Sequence, residues 1–354
     1  MNDRDWDVVP YTPQLAGELL ALHRRAWPDA EIAGERFLRW QYDENPVGAA
    51  LSTLARSRAN GALIAQFGAI PVRLWAEGAE RLGAIALNVV TDEAFRMQGV
   101  FSALGRAADE RMAQADASVA FAMPNENSFP GFIRRLGYTH AGDVPFLVRP
   151  VNLRRLVSNR LAVPGAGALA AIAAVPFVRS LPRAPKQEPD VSVERVDSFD
   201  APFDDFWRRI RGREPVMLVR DVRYLDWRYR KVPLRRYDIF RAMAGERQTG
   251  YIVLRVADVL GLRAGLIVDF LAEDERSGRA LVSHALARFA TEDIDLVAAL
   301  MLAHAPEYRL LRSAGLRALP RRLLPQPFHL VARDGDLVRD ARNWFFTMGD
   351  YDVA

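Results

Sequence analysis

The chain has 354 residues, half of them hydrophobic and 26% charged, with 21 Pro and 23 Gly, which excludes collagen-like, low-complexity and mostly disordered chains and leaves room for two domains. It has no cysteine, which excludes disulfide scaffolds, thiolate metal sites and cysteine nucleophiles together; no two of its five histidines stand four apart, so no metal is expected. The net charge of +4 rests almost wholly on arginines dispersed among 44 acidic residues, and without a dense basic run no nucleic-acid partner is expected.

The N-terminus, Met1-Asn-Asp-Arg-Asp-Trp-Asp, is acidic and polar, unlike a signal peptide, so a cytoplasmic location is expected. Apolar residues at three and four spacing predict helices over Leu15–Ala26 and Glu35–Tyr42. Strands follow over Ala62–Phe67, Ile70–Trp75 and Ala84–Val90. Val100–Met112 is an amphipathic helix with Val100, Phe101, Leu104, Ala108 and Met112 on one face. Val119–Met123 reads as a short buried strand, Phe129–Leu136 as a helix closed by Gly137, and Val144–Val151 as extended chain.

Leu161–Val178 carries no charge, but it is mostly small residues with Pro164 and Pro176 inside. It reads as a helical connector, with a surface-lying membrane contact and a true span as the other readings. The proline-rich Leu181–Val196 marks a boundary. The second half then repeats the order of the first. Helices are expected over Phe203–Arg211 and Arg223–Tyr229, strands over Tyr237–Met243, Gly250–Val256 and Gly265–Leu271, then helix Ser277–Ala290, strand Asp295–Leu302, and helix Pro306–Ser313 closed by Gly315.

Three boxes in the same order point to duplication. Arg36-Phe-Leu-Arg-Trp-Gln-Tyr-Asp-Glu-Asn-Pro46 matches Arg223-Tyr-Leu-Asp-Trp-Arg-Tyr-Arg-Lys-Val-Pro233. Gly99 pairs with Gly278, and Gly137 with Gly315. The expected architecture is therefore α/β (α+β): two like domains, 1–150 and 197–354, joined by a connector over 151–196. Each would be a mixed, mostly antiparallel sheet flanked by helices. Trp40 and Trp227, on matching helices, read as core; stacking on a sugar or base is the sharper option.

The chemistry-bearing segment is Asn88-Val-Val-Thr-Asp-Glu-Ala-Phe-Arg-Met-Gln-Gly-Val-Phe101. A strand ends near Thr91 and a helix begins near Val100. The first N–H groups of a helix lack intrahelical partners and carry partial positive charge. Arg96 adds a full charge, and Gly99 permits close backbone approach. Together they suit a phosphate or pyrophosphate.

Here the sequence resembles the GNAT acyltransferase superfamily, whose hallmark Q/R-x-x-G-x-G/A lies between the fourth strand and third helix. Arg96-Met-Gln-Gly-Val-Phe101 fits at the arginine and first glycine and departs at Phe101, where a small residue is usual. Leu136-Gly137-Tyr138 matches the later glycine–aromatic element. The resemblance implies acyl-CoA binding, with acetyl-CoA or a longer acyl-CoA as cosubstrate. By position, Val89, Val90 and Thr91 would contact pantetheine. Arg96, Met97, Gln98, Gly99, Val100, Phe101 and Ser102 would hold the pyrophosphate. Asn125, Asn127 and Ser128 would reach the pantetheine or acyl end; for the two asparagines, turn formation and capping stand beside that role.

The implied reaction is attack of a primary amine on the thioester, giving an N-acyltransferase whose acceptor, by analogy, is a nucleotide-linked amino sugar. The tyrosine usual four residues before the helix-ending glycine is Ile133 here. Asn88 and Glu126 are the candidates near the thioester, with structural or solvated roles as the plainer reading, and Tyr138 reads as core. In the second copy, Ala272-Glu-Asp-Glu-Arg-Ser-Gly278 sets carboxylates where a diphosphate needs positive charge, so cofactor binding is expected to be lost there. Asp269, polar within an apolar strand, is a candidate acceptor contact. Two rival readings stay open: a non-catalytic acyl-CoA-binding or scaffold protein, and a Fem-like aminoacyl-tRNA-dependent transferase.

Overall fold

Two sheets repeat one plan in the computed structural model, which describes residues 4–152, 181–182, 186–259, 261–324 and 326–351. The first half supplies strands β1 (Trp6–Pro10), β2 (Thr53–Ser57), β3 (Leu63–Ala76), β4 (Ala79–Thr91), β5 (Val119–Ala122), β6 (Thr139–Asp143) and β7 (Phe146–Pro150). Its helices are α1 (Ala16–Ala26), α2 (Glu35–Tyr42), α3 (Val100–Gln114) and α4 (Phe129–Leu136). The second half supplies β8 (Ser192–Arg195), β9 (Val216–Leu218), β10 (Asp238–Ala244), β11 (Arg247–Val259), β12 (Leu262–Ala272), β13 (Leu296–Leu300), β14 (Arg317–Ala318), β15 (His329–Arg333) and β16 (Trp344–Phe345). Its helices are α5 (Ala201–Ile210), α6 (Val222–Leu225, continued by a π turn over Asp226–Arg230), α7 (Glu275–Phe289) and α8 (Pro306–Ser313).

The first sheet runs β1-β2-β3-β4-β5-β15-β6, and the second, from its matching edge, β8-β10-β11-β12-β13-β7-β14. The two orders correspond place by place. In both, the central β4/β5 and β12/β13 pairs are parallel and their neighbours antiparallel. The sixth place in each sheet is taken by a strand from the other half. β15 bonds β5 and β6, while β7 bonds β13 and β14. The segment Phe146–Pro150, which the sequence places in the first domain, therefore completes the second sheet. β9 and β16 of the second half also extend the first sheet at the far end of β3.

The halves meet through the tryptophan boxes. Trp40 and Trp227 stack with ring centroids 4.7 Å apart, and each indole N–H donates to the other's carbonyl, at 2.9 and 3.0 Å. Reciprocal bonds of this kind require a local two-fold relation between α2 and α6. Both rings are buried, so these tryptophans are core and present no face to a sugar or base.

Other elements differ from expectation. The two strands expected over 62–75 are one 14-residue strand, β3. It survives Pro71 because the missing N–H would face away from β4, where the Asn45 side chain bonds the Pro71 carbonyl instead. Gly278 lies inside α7, where a Cβ would meet Leu310 at 2.3 Å, so it serves helix packing. Its pairing with Gly99 is thereby corrected: the N-cap of α7 is Asp274, and that of α3 is Gly99. The apolar connector 161–178 lies outside the described residues, and among those residues no helix is long and apolar enough to cross a membrane.

Candidate active site

The first sheet opens at its centre. β5 pairs β4 only through Gly83–Ala86, whereas β4 runs on to Thr91. Past Ala86 the β5-facing edge of β4 has no strand partner among the described residues. At the same level the β3–β4 register skips from Gly68↔Leu87 to Gln66↔Val90, so Asn88 and Val89 together face Phe67. Asn88 takes up this bulge with a left-handed φ of 49°. Val89, Val90 and Thr91 follow on the diverging edge, each half-buried.

A buried polar chain braces the bulge. The Asn88 amide donates to Gln41 Oε1 at 2.7 Å and to the Tyr42 hydroxyl at 3.1 Å. Gln66 Nε2 donates to the same hydroxyl, and Gln66 Oε1 lies 2.6 Å from His23 Nε2. Burial holds His23 below its ordinary value, despite its bonds to Gln66 and Ile32. Sequence reading found Asn88 but missed Gln41, Tyr42, Gln66 and His23. The one available signal was polar residues inside otherwise apolar runs.

Beyond Thr91 an eight-residue loop leads to α3. Met97 and Gly99 both have left-handed φ, 64° and 78°, and Met97 projects almost wholly into solvent. No side chain caps α3. A Cβ built on Gly99 meets nothing within 4 Å, so the space above this helix end is open. The first-turn N–H groups of Val100, Phe101 and Ser102 start from an uncapped end. Arg96 bonds Glu93 at 2.9 Å, an exposed pair within the same loop. Such pairs contribute about 0–1 kcal/mol, so a diphosphate would compete readily for the guanidinium. Gln98 is tied to the Ala94 carbonyl. The Ser102 hydroxyl is buried without a partner.

Phe101 is accommodated by a local exchange of volume. Its ring packs on Phe67 and Phe132 and fills the space left by Gly131 on α4, where a Cβ would come within 2.6 Å of it. Asn125 is a turn former. Its Oδ1 accepts from the N–H groups of Asn127 and Ser128 and from the Ser128 hydroxyl, at 3.0–3.1 Å. Glu126 and Asn127 are exposed at the tip of this turn. Tyr138 is core: it packs on Phe132, and burial pushes its hydroxyl well up.

The second copy keeps the opening and loses the loop. β12 pairs β13 through Ala264–Ile267 only, with its own register skip at Val268. Two residues, rather than eight, join β12 to α7. Asp274 caps that helix, accepting from Ser277 N at 2.9 Å. The carboxyl-terminal stretch fills the opening: Thr347 bridges Met301 and bonds Asp269 at 3.0 Å. Asp269 is not an acceptor contact. Buried, it accepts from Tyr251 at 2.7 Å and Tyr229 at 3.2 Å and pairs with Arg220 at 3.3 Å. Arg220 also holds Asp350 at 2.7 Å, and burial raises the Asp350 carboxyl above its ordinary value.

Among the described residues, His140, Asp143 and His329 are the one group able to share a metal ion. Asp143 Oδ1 already meets both rings, at 2.9 and 2.6 Å. Burial alone would raise that carboxyl, but the two histidine bonds outweigh it and hold it below its ordinary range. The cluster clasps the exchanged β15 to β6.

Residues 8–141 match the family model described as an acetyltransferase (GNAT) domain. The first half is thus similar to a GNAT domain. Solved structures share the fold over most of the chain. A probable N-acyltransferase from Enterococcus faecalis is 14% identical, with a TM-score of 0.65 over 94% of this chain and 73% of that one. A GCN5-related N-acetyltransferase from Anabaena variabilis is 12% identical, with a TM-score of 0.65 over 93% and 72%. The Saccharomyces cerevisiae N-myristoyltransferase with bound myristoyl-CoA is 13% identical, with a TM-score of 0.62 over 93% and 83%. No curated protein matches the sequence. The matched first half carries the open loop and the diverging strands; the like-folded second half carries a capped helix and a filled opening.

Proposed function

We propose that the chain is an acyl-CoA-dependent N-acyltransferase that binds its acyl donor in the first half only. The observation that carries this reading is the uncapped, open α3 terminus beside the free edge of β4. There, backbone N–H groups of Val100–Ser102 and the Arg96 guanidinium would hold the diphosphate. Val89, Val90 and Thr91 would offer their unpaired main chain to the pantetheine amides, as an edge strand does to an added strand. In the second copy Asp274 caps the helix end, and Thr347 stands in the opening beside Asp269.

Amine attack on a thioester needs a neutral amine held near the carbonyl and stabilisation of the oxyanion. The bulge at Asn88 and Val89 turns main-chain groups toward the opening, and the Gln41–Tyr42–Gln66 chain fixes that bulge. Asn88 is then a positioning residue, its amide committed to Gln41 and Tyr42. Glu126, exposed on the turn after β5, is the side chain we assign to steering the incoming amine. A nucleotide-linked amino sugar remains our acceptor proposal by analogy alone.

Acetyl-CoA should raise the melting temperature, since ligand held by the native state alone stabilises it. Arg96→Glu and Gly99→Trp should abolish the rise. A shift that survives both substitutions would move the donor site elsewhere. Turnover with a panel of primary amines then separates an enzyme from a binding protein.

A further inference from the structure

In the second half lies a cavity of about 560 Å3 that shares no residue with the Arg96 loop. Six arginines line it: Arg195, Arg230, Arg235, Arg236, Arg255 and Arg288. They come from the end of β8, the end of α6, the approach to β10, the middle of β11 and the last turn of α7. Only two carboxylates line it with them, Asp238 and Glu292.

The charges do not balance. Asp238 is shared between Arg195 at 3.2 Å and Arg288 at 2.8 Å, and Glu292 pairs with Arg288 as well. Asp197 stands 3.6 Å from Arg195. From the first half, Glu31 bonds Arg235 at 2.7 Å and lies 3.8 Å from Arg255. Arg230 and Arg236 form no ion pair among the described residues. The Arg230 Nη2 donates to the Val196 carbonyl, and its Nε is buried without a partner. Burial lowers both Arg230 and Arg255 from the ordinary arginine value, helped by the neighbouring Arg195 and Arg235 respectively. Crowded, partly desolvated positive charge is a cost that a bound anion relieves.

Tyr237, Leu254 and Phe289 give the same cavity an apolar wall. Its volume exceeds what a lone carboxylate or phosphate needs, and planar guanidinium forks match phosphate oxygens in pairs. We propose that this cavity of the second half binds a phosphate-bearing small molecule, with Arg230, Arg236 and Arg255 on the phosphate and the apolar wall against the organic part. The site does not depend on the acyl-transfer reading.

Inorganic pyrophosphate is the probe, titrated calorimetrically into the full chain carrying Arg96→Glu, so that the α3 loop is not the binder. Binding should persist in that chain and weaken about tenfold on adding Arg230→Gln, the loss of one charge-assisted bond. Arg236→Glu, at an exposed position, should weaken it at least as much without disturbing the fold, which a thermal melt checks. Orthophosphate should bind more weakly than pyrophosphate, and ADP at least as tightly if the apolar wall takes its organic part. No heat with pyrophosphate in the Arg96→Glu chain overturns the proposal, as does an affinity unmoved by Arg236→Glu.

Discussion

Asp109, on α3, shows how one side chain couples the halves. It pairs at 2.6 Å with Arg333 of the exchanged strand β15, while its Oδ1 is buried without a partner. Burial raises its carboxyl to about 6 from the ordinary 3.8, and Arg333 offsets this only in part. The folded chain therefore holds that proton more tightly than the unfolded one. The resulting stability is fully present below about pH 4 and is lost as the pH rises through 6. Asp109→Asn keeps the shape and removes the titration. Its unfolding free energy, from denaturant melts, should depend less on pH between 4 and 7 than that of the parent chain. Equal slopes for the two chains would mean that Asp109 titrates normally. The residue scale is also where sequence reading was weakest: Asp269 looked available, yet two tyrosines, a threonine and an arginine from four separate segments consume it.

Elements explain why the two copies diverge in chemistry. Both keep the central parallel pair, the skip in register and the divergence beyond it. What differs is the link to the next helix, eight residues against two, and the cap, Gly99 against Asp274. A glycine N-cap leaves the helix end open to an anion; an aspartate supplies the anion itself. The sequence comparison sensed the charge difference but matched Gly99 to a glycine inside α7, because short boxes align without regard to loop length. At the same scale, α2 and α6 are joined by two reciprocal indole bonds. Trp40→Phe should cost about 1–3 kcal/mol by leaving the Trp227 carbonyl buried and unpaired. Trp227→Phe should cost a similar amount, by the local symmetry. Denaturant melts measure both, and a cost near zero for either would mean that the stack alone holds the seam.

For the whole molecule, exchange of β7 and β15 makes each sheet depend on the other half. Without residues 329–333, β5 and β6 lose their shared partner and expose two strand edges. A fragment of residues 1–150 should therefore be insoluble or unfolded alone, and should recover structure when co-expressed with residues 181–354. Circular dichroism and size-exclusion chromatography would read this out; a folded, monomeric 1–150 fragment would show the exchange to be dispensable.

Local chemistry was legible in the chain alone. Helical spacing and the repeated order located α1 to α8, a glycine and an arginine after a strand marked the α3 terminus, and the tryptophan boxes pointed to the like-folded halves. These features depend on residues within a few positions of one another, where propensity and periodicity act. Which strand fills the sixth place in each sheet, that Phe101 rests on Gly131, that the carboxyl-terminal stretch fills the second opening, and that six dispersed arginines converge were decided by tertiary packing. Each joins residues tens to hundreds of positions apart, and the free energy that selects such contacts comes from burying surfaces that exist only once the elements are assembled.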